Sequence, residues 1–157
     1  TDGVIKLWDC REKASVATKE LHLPCGVGVL EPVPTIVSPG PLVLSGGADN
    51  FVHLLDARRN LEPVYSWQAP HKNCIYSALS VGMVPERMGG TRGASAFIAD
   101  GTGMVYCYDL STGELNYGLG ACSKGAVRCL ALVGDPHASL AACGEDGKVL
   151  VYDHIDK

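Results

Sequence analysis

The side chains best suited to chemistry in this chain are histidines, cysteines and aspartates, and their spacing matches no catalytic motif. Among 157 residues there are 5 histidines and 7 cysteines, but there is no His-Glu-x-x-His, Gly-x-Ser-x-Gly or Gly-Lys-Ser/Thr pattern. Asp153 and His154 would need a nucleophile to complete a triad, and no activated serine or thiol lies beside them in sequence. The sequence therefore predicts a protein that is not an enzyme, with no catalytic residue, cofactor or metal site.

The cysteines predict free thiols rather than disulfides. Their number, 7, is odd, they are scattered along the chain, and no two form a Cys-x-x-Cys pair. Cys107, Cys129 and Cys143 lie in apolar runs where a small hydrophobic residue fits, so we expect them to be buried. Free thiols are typical of a reducing compartment, which favours the cytoplasm or the nucleus.

Four apolar runs that each end in aspartate are the predicted strands that must position these side chains. The runs are Val4–Asp9, Phe51–Asp56, Met104–Asp109 and Lys148–Asp153. Their final aspartates lie between 44 and 53 residues apart, and such a period indicates one supersecondary unit repeated along the chain. A turn precedes each run, as at Asp2-Gly3 and Asp146-Gly147, and this residue pair suits a tight hairpin.

Further apolar runs complete a predicted cycle of four strands, a to d. Strand b precedes the turn, as in Leu42–Gly47, and strand c ends in the aspartate. Strand d follows, as in Pro63–Trp67 and Gly113–Tyr117, and strand a opens the next unit, as in Ala126–Val133. Short strands at regular spacing with turn residues between them favour an all-β fold.

With these repeats, the chain resembles part of a WD40 β-propeller. Trp8-Asp9 is a literal Trp-Asp dipeptide, and the other repeats end in Leu-Asp or Tyr-Asp. The resemblance implies repeat-structural roles for Trp8, Asp9, Asp56, Tyr108, Asp109, Tyr152 and Asp153. It implies about three and a half four-stranded blades from a ring of about seven or eight. Residues 1–21 would end one blade, 22–68 and 69–119 would form two blades, and 120–157 would form a last blade without its outer strand.

The resemblance also bears on a buried tetrad and on an absent strand. In the family, a His, an Asp, a Ser or Thr and a Trp of one blade can hydrogen bond together, but here Ser45 and Asp49 share a blade with Leu55. His22 and His71 fall in equivalent loops before strand a, so we expect a shared structural role for them.

We expect the absent last strand to come from a missing N-terminal propeller half of the same full-length protein.

Composition and charge favour proteins or peptides as partners. A hydrophobic fraction of 46% is enough to fill a repeat core. The net charge of −4 argues against nucleic acid or an anionic membrane as the main partner. No apolar stretch reaches the roughly 18 residues of a membrane span.

Candidate binding residues lie in the loops predicted at one rim and in two insertions between strands a and b. Loops on a rigid scaffold carry function more often than strands do. The rim includes His22, and the insertion at 82–93 places two arginines among glycines, which would suit an acidic peptide. The alternative is that the fold tolerates this insertion as a loop without a binding role. The candidates are Asp49, Asn50, His71, Lys72, Lys124, Arg87 and Arg92.

Arg11 and Arg58 are the most specific candidates, because each lies two residues after the aspartate that ends strand c. This spacing in consecutive repeats is similar to the box on WD40 substrate receptors that dock the adaptor of cullin-4 ubiquitin ligases. An arginine can anchor such an interface through forked hydrogen bonds. The main prediction remains a non-catalytic interaction scaffold. The alternatives are a ligase receptor, an accessory propeller of a larger catalytic chain, or arginines that only pair with their own aspartates.

Overall fold

The computed structural model describes residues 2–35, 37–68, 76–84, 93–133 and 139–153, and this part of the chain is almost entirely β-structure. In chain order the strands are β1 (Val4–Trp8), β2 (Ser15–Glu20), β3 (Val27–Pro32), β4 (Leu42–Gly47), β5 (Phe51–Asp56), β6 (Glu62–Gln68), β7 (Tyr76–Val84), β8 (Gly93–Asp100), β9 (Met104–Asp109), β10 (Leu115–Gly120), β11 (Val127–Val133), β12 (Ser139–Gly144) and β13 (Val149–Tyr152). A short 3-10 helix spans Ala57–Arg59. Among the described residues, no helix is long and apolar enough to cross a membrane.

Each sheet is an antiparallel meander in which every strand pairs with the next one in the chain. The sheets are β1-β2, β3-β4-β5-β6, β7-β8-β9-β10 and β11-β12-β13. The predicted all-β fold with a four-strand cycle is thereby confirmed. The tight turns predicted at Asp49-Asn50, Thr102-Gly103 and Asp146-Gly147 join the second and third strands of their sheets, and Asn50, Gly103 and Gly147 have positive φ. Gly3, which comes just before β1, also has positive φ.

One outer strand differs from its sequence prediction at both ends. The prediction places it at Gly113–Tyr117, whereas β10 spans Leu115–Gly120. Gly113 has φ 73° and its N–H donates to the Asp109 carbonyl oxygen at 2.8 Å, which closes a turn before the strand begins. The strand then continues through Gly118 and Gly120, because both glycines pair with β9.

A β-bulge recurs near the start of the first strand in three sheets. In β3 the register shifts between Val27 and Val29, and in β11 it shifts between Val127 and Cys129. The same irregularity occurs at the start of β7. A bulge twists the strand locally and changes where its side chains point. Beside the bulges, Val27 pairs with Gly47 and Val127 pairs with Gly144.

The chain divides into two compact units, residues 1–75 and 76–157, and each has its own apolar core. The core of the second unit includes Phe97, Val105, Val127 and Leu140, all without exposed surface. In the first unit, a cluster of Ile5, Ala17, Leu55 and Leu61 lies between strands and the 3-10 turn. Alternate strand residues face these cores, as the period of two along a strand requires.

The sheets that have fewer than four described strands leave apolar side chains exposed. Trp8 of β1 is 59% exposed, although the resemblance implies a structural role for it. On β13, Val149 is 70% exposed and Val151 is 58% exposed. The third strands of the four-stranded sheets, β5 and β9, are instead largely buried.

A glycine carbonyl in two of the tight turns holds the loop that follows the outer strand. The Gly103 oxygen accepts hydrogen bonds from the N–H groups of Ala121 at 2.9 Å and Cys122 at 3.0 Å. The Gly3 oxygen accepts from Leu21 and His22, both at 3.2 Å. We call these paired hydrogen bonds the Gly3 clamp and the Gly103 clamp. They make the loop positions of His22 and Cys122 equivalent.

Replacing Gly103 by alanine is expected to destabilise the fold more than the same change at Gly147. Both have positive φ, which costs an L-residue about 1–2 kcal/mol. A Cβ on Gly103 would also collide with the carbonyl oxygen of Cys122, whereas a Cβ on Gly147 would meet nothing within 4 Å. In urea denaturation, we expect Gly103→Ala to lower the free energy of unfolding by at least about 3 kcal/mol. Equal losses for the two variants would contradict a tight clamp.

Candidate functional site

Three side chains from separate elements form a buried hydrogen-bonded network in the first unit. His22 follows β2, Ser45 lies in β4, and Asp49 lies in the turn between β4 and β5. His22 Nδ1 is 2.8 Å from Asp49 Oδ1, and its Nε2 is 3.1 Å from Ser45 Oγ. A carboxylate only accepts hydrogen bonds, so Nδ1 donates to Asp49, and in the neutral ring Nε2 accepts from the Ser45 hydroxyl.

Backbone geometry brings these side chains together. The Gly3 clamp fixes the backbone of His22, and Asp49 Oδ1 also accepts the N–H of Phe51 at 3.2 Å, which shapes the turn. Gly47 leaves the space that the imidazole occupies, because a Cβ there would collide with His22 Nδ1 and lie 2.7 Å from Asp49 Oδ1. A glycine at this point of β4 is therefore required for the network.

The prediction that His22 contributes to an exposed rim is wrong, since the residue has no exposed surface. Both of its ring nitrogens have partners inside the protein, which gives it a structural role. The network contains the His, Asp and Ser of the expected tetrad. As the sequence indicates, Leu55 stands where the Trp would be, and it is fully buried in the core of the unit.

His53 lies beside this network and was not singled out by sequence reasoning. It sits opposite Ser45 in the β4–β5 register and opposite Ser66 in the β5–β6 register. Its Nδ1 is 2.8 Å from Ser66 Oγ, and its ring centroid is 4.9 Å from that of His22. Its Nε2 is buried without a hydrogen-bond partner among the described residues. Burial lowers the pKa of His53, and the neighbouring His22 lowers it further.

The equivalent position in the last sheet holds Cys122 instead of a histidine. The Gly103 clamp fixes its backbone, and a Cβ on Gly144 would lie 2.7 Å from Cys122 Sγ, just as one on Gly47 would meet His22. Asp146 takes the place of Asp49. Its Oδ2 accepts the backbone N–H and the hydroxyl of Ser123, each at 2.9 Å.

The hydrogen-bond partner of Asp146 differs from that of Asp49, because Ser123 is exposed whereas His22 is buried. The two hydrogen bonds from Ser123 lower the pKa of Asp146 to about 2. An open cavity of about 230 Å³ adjoins this carboxylate. Its lining residues are Gly120, Ala121, Cys122, Ser123, Asp146, Lys148 and Leu150. The same backbone arrangement therefore supports a closed histidine network in one unit and an open cavity beside a carboxylate in the other.

The two Asp-x-Arg pairs adopt the same local structure. In each pair the aspartate accepts the backbone N–H of the arginine, at 3.0 Å for Arg11 and 2.9 Å for Arg58. The Nε and one terminal nitrogen of each guanidinium also bond the same carboxylate. These contacts lower the pKa of Asp9 and of Asp56. After β9 the same position carries a serine, and Ser111 donates its N–H and its hydroxyl to Asp109.

Pairing with aspartate does not bury either arginine. The side chain of Arg11 is 86% exposed and that of Arg58 is 64% exposed. Arg58 lies against Gly40, because a Cβ there would be 2.7 Å from its Nη2. Each guanidinium is thus held at a fixed place while one of its terminal nitrogens takes no part in the pairing with aspartate.

The other predicted residues are placed as follows. Asn50 has φ 69° in its turn, and Lys124 is exposed. Tyr108 and Asp109 are buried. Tyr152 donates to the Gly120 carbonyl at 2.6 Å. Asp153 accepts from the Ser139 hydroxyl, also at 2.6 Å. His71, Lys72, Arg87 and Arg92 lie outside the described residues.

The cysteines are free thiols wherever the structure describes them. Cys107 is buried and Cys143 is partly buried. The prediction that Cys129 is buried is wrong, because the bulge at the start of β11 shifts the register there and the residue is exposed.

Comparison with known proteins identifies the fold but not a family. No family model matches the sequence, and no curated protein matches it significantly. The computationally designed Ika4 protein superposes with a TM-score of 0.72 at 18% identity, covering 97% of this chain and 80% of that one. The WD40 β-propeller domain of Doa1 superposes with a TM-score of 0.70 at 18% identity, covering 98% of this chain.

These similarities establish the fold alone, because the identities are low. The chain is an incomplete β-propeller segment of the WD40 type, with about three to four blades built as antiparallel sheets. It spans 44% of the length of the Doa1 chain. Proteins of this architecture display loops and rim side chains on a rigid framework, and their functions lie in those sites rather than in the fold.

The Ser45→Ala variant tests the histidine network. Removing the hydroxyl leaves His22 Nε2 buried without its partner, which should lower the free energy of unfolding by about 1–3 kcal/mol. The matched control is Ser15→Ala, because the hydroxyl of Ser15 bonds that of Thr18 at the exposed surface. That change should stay within about 0.5 kcal/mol. Equal effects in chemical denaturation would show that the network contributes no stability.

Proposed function

We propose that this protein is a non-catalytic scaffold that binds other proteins or peptides through fixed side chains on its blades. The observation that carries the proposal is the pair of exposed arginines, Arg11 and Arg58. They are held in the same way by Asp9, which follows β1, and by Asp56, which ends β5. A partner that binds such a side chain loses little affinity to ordering it, because the geometry already exists. The WD40-type fold supports this general role.

The chemistry of these arginines indicates the kind of group that they would bind. A guanidinium presents a planar fork that matches carboxylates and carbonyl oxygens. Each aspartate takes up part of the positive charge, so the free edge of the guanidinium suits directional hydrogen bonds to a backbone carbonyl or a single acidic side chain. Arginine is also among the residues that most often dominate interfaces.

A second, narrower proposal is that the two Asp-x-Arg pairs dock the adaptor of a cullin-4 ubiquitin ligase, which would make the protein a substrate receptor. The observation that favours it is that the arginines occur in consecutive repeats with matching backbone contacts and high exposure. The rim loops would then bind the substrate. His71, Lys72, Arg87 and Arg92 remain candidates for that contact.

We further propose that an additional strand from elsewhere in the same full-length protein pairs with the outer edge of β13. Among the described strands, β13 has no partner at the edge where β6 pairs with β5 and β10 pairs with β9. Its residues Val149 and Val151 are exposed. Exposed apolar edges otherwise favour aggregation. The free thiols of the described cysteines support a reducing compartment, either the cytoplasm or the nucleus.

The test of the arginine proposal compares an Arg11→Ala/Arg58→Ala double variant with Arg59→Ala in the full-length protein. Arg59 is the next residue after Arg58 and is also exposed, so it controls for loss of charge in the same 3-10 turn. After affinity purification from cells, quantitative mass spectrometry should show at least about a tenfold loss of a specific partner for the double variant only.

The identity of the lost partner separates the two proposals. Loss of a cullin-4 adaptor in the double variant, with retention in Arg59→Ala, supports the receptor role. If the adaptor is absent from the unmodified protein and from both variants, but the double variant loses another partner, the scaffold proposal stands without the receptor role. If all partners are retained equally, neither arginine anchors an interface, and the proposed binding site is wrong.

A further inference from the structure

We propose that His22, Asp49 and His53 form a binding site for a zinc ion inside the first unit. One nitrogen of each imidazole and a carboxylate oxygen of Asp49 lie within 4.8 Å of one another. Two histidines and a carboxylate are a donor set that zinc uses in proteins, with water as the fourth ligand. This proposal goes beyond the scaffold role and does not depend on the arginines.

The hydrogen bonds around the two rings have the pattern found behind metal-binding histidines. Such a histidine binds the metal through one nitrogen while its other nitrogen donates to an oxygen that fixes the ring. Here Ser45 Oγ is 3.1 Å from His22 Nε2, and Ser66 Oγ is 2.8 Å from His53 Nδ1. Each serine therefore holds one nitrogen of one ring and leaves the opposite nitrogen for a ligand.

The remaining nitrogens differ in their present contacts. In the neutral ring, His22 Nδ1 donates to Asp49 Oδ1. For zinc to bind Nδ1, the ring proton would have to move to Nε2, which would then donate to Ser45 Oγ. His53 Nε2 is buried and has no hydrogen-bond partner among the described residues. A buried polar atom without a partner is uncommon in folded proteins and calls for an explanation such as an ion. Ligation of zinc would satisfy this atom.

The distances require only a modest rearrangement. Zinc bonds of about 2.0–2.2 Å place tetrahedral ligands about 3.3 Å apart. The His22–Asp49 pair at 2.8 Å would open slightly. The ligand atom of His53 lies within 4.8 Å of the ligand atoms of His22 and Asp49. It would have to move toward them by at most about 1.5 Å to reach the spacing of tetrahedral zinc ligands. Gly47 keeps the His22 ring in this position, because a Cβ there would collide with His22 Nδ1.

The surroundings favour zinc over calcium or magnesium and allow the ion to enter. Calcium and magnesium take six or more oxygen ligands, whereas this cluster offers two nitrogens and one carboxylate. His22 has no exposed side-chain surface, but the Asp49 side chain is 15% exposed. The carboxylate therefore lies at the mouth of the site, where solvent can supply the fourth ligand.

The test titrates the 157-residue chain, first stripped of metal, with Zn²⁺ in competition with a chromophoric chelator. We expect one tightly bound Zn²⁺ per chain, and Co²⁺ in its place should give the intense visible absorption of four-coordinate cobalt. His53→Phe removes a ligand but keeps a ring against Phe51, and it should weaken binding at least 100-fold. Ser66→Ala removes only the outer hydrogen bond and should weaken it about 10–100-fold.

The control is a Cys10→Ala/Cys129→Ala variant, because both thiols are exposed and can bind zinc adventitiously. Its affinity should equal that of the unmodified chain. The proposal is overturned if the unmodified chain binds no Zn²⁺, or if His53→Phe and Ser66→Ala bind it as tightly as the unmodified chain. If the circular dichroism spectrum shows that His53→Phe is unfolded, the zinc affinity of Ser66→Ala is used instead to decide whether the proposal holds.

Discussion

The carbonyl oxygen of a turn glycine is the group on which the rest of each unit depends. This group is the Gly3 oxygen in the first unit and the Gly103 oxygen in the second unit. Each oxygen accepts hydrogen bonds from two consecutive backbone N–H groups of the loop that follows an outer strand. Loop backbones carry polar groups that need partners, and these hydrogen bonds supply them without side chains. The loop therefore has a fixed path, and the residue at its second N–H is placed against the next tight turn.

The side chain at this fixed point determines the local chemistry. His22 fills the space over Gly47 and joins Asp49 to Ser45, whereas Cys122 fills the space over Gly144 and leaves an open cavity beside Asp146. In the last sheet Ala142 occupies the position that corresponds to Ser45, so a histidine there would lack its second partner. One backbone arrangement thus accepts different polar groups, as expected of a repeated scaffold.

The strands that end in aspartate could be predicted from sequence because three local signals coincide. Apolar runs, turn residues and the period of the repeat all place β5 and β9 where the structure has them. The aspartates that end these strands also act locally, since each accepts the N–H two residues later. Nearest-neighbour chemistry of this kind is legible in a single sequence. The start of β10 could not be predicted in this way, because the extent of the turn before it depends on the backbone hydrogen bond from Gly113 to Asp109 as well as on local side chains.

The histidine cluster shows where sequence reasoning stops. His22 and Asp49 are 27 residues apart, and their contact depends on a clamp, a glycine gap and a register that no local pattern specifies. His53 looks like one polar residue in an apolar strand, and its importance appears only once Ser45 and Ser66 are found opposite it. The exposure of Cys129 was likewise hidden, because a bulge alters the alternation along β11.

The central claim is that the glycine clamps order the loops that carry the site residues. Native-state hydrogen exchange of the backbone amides of Leu21, His22, Ala121 and Cys122 tests it most directly. We expect protection comparable to that of amides in the paired strands β8 and β9, since carbonyl oxygens accept hydrogen bonds from all four N–H groups. Exchange as fast as that of an unstructured peptide would contradict the claim and would leave the loop residues without a fixed position.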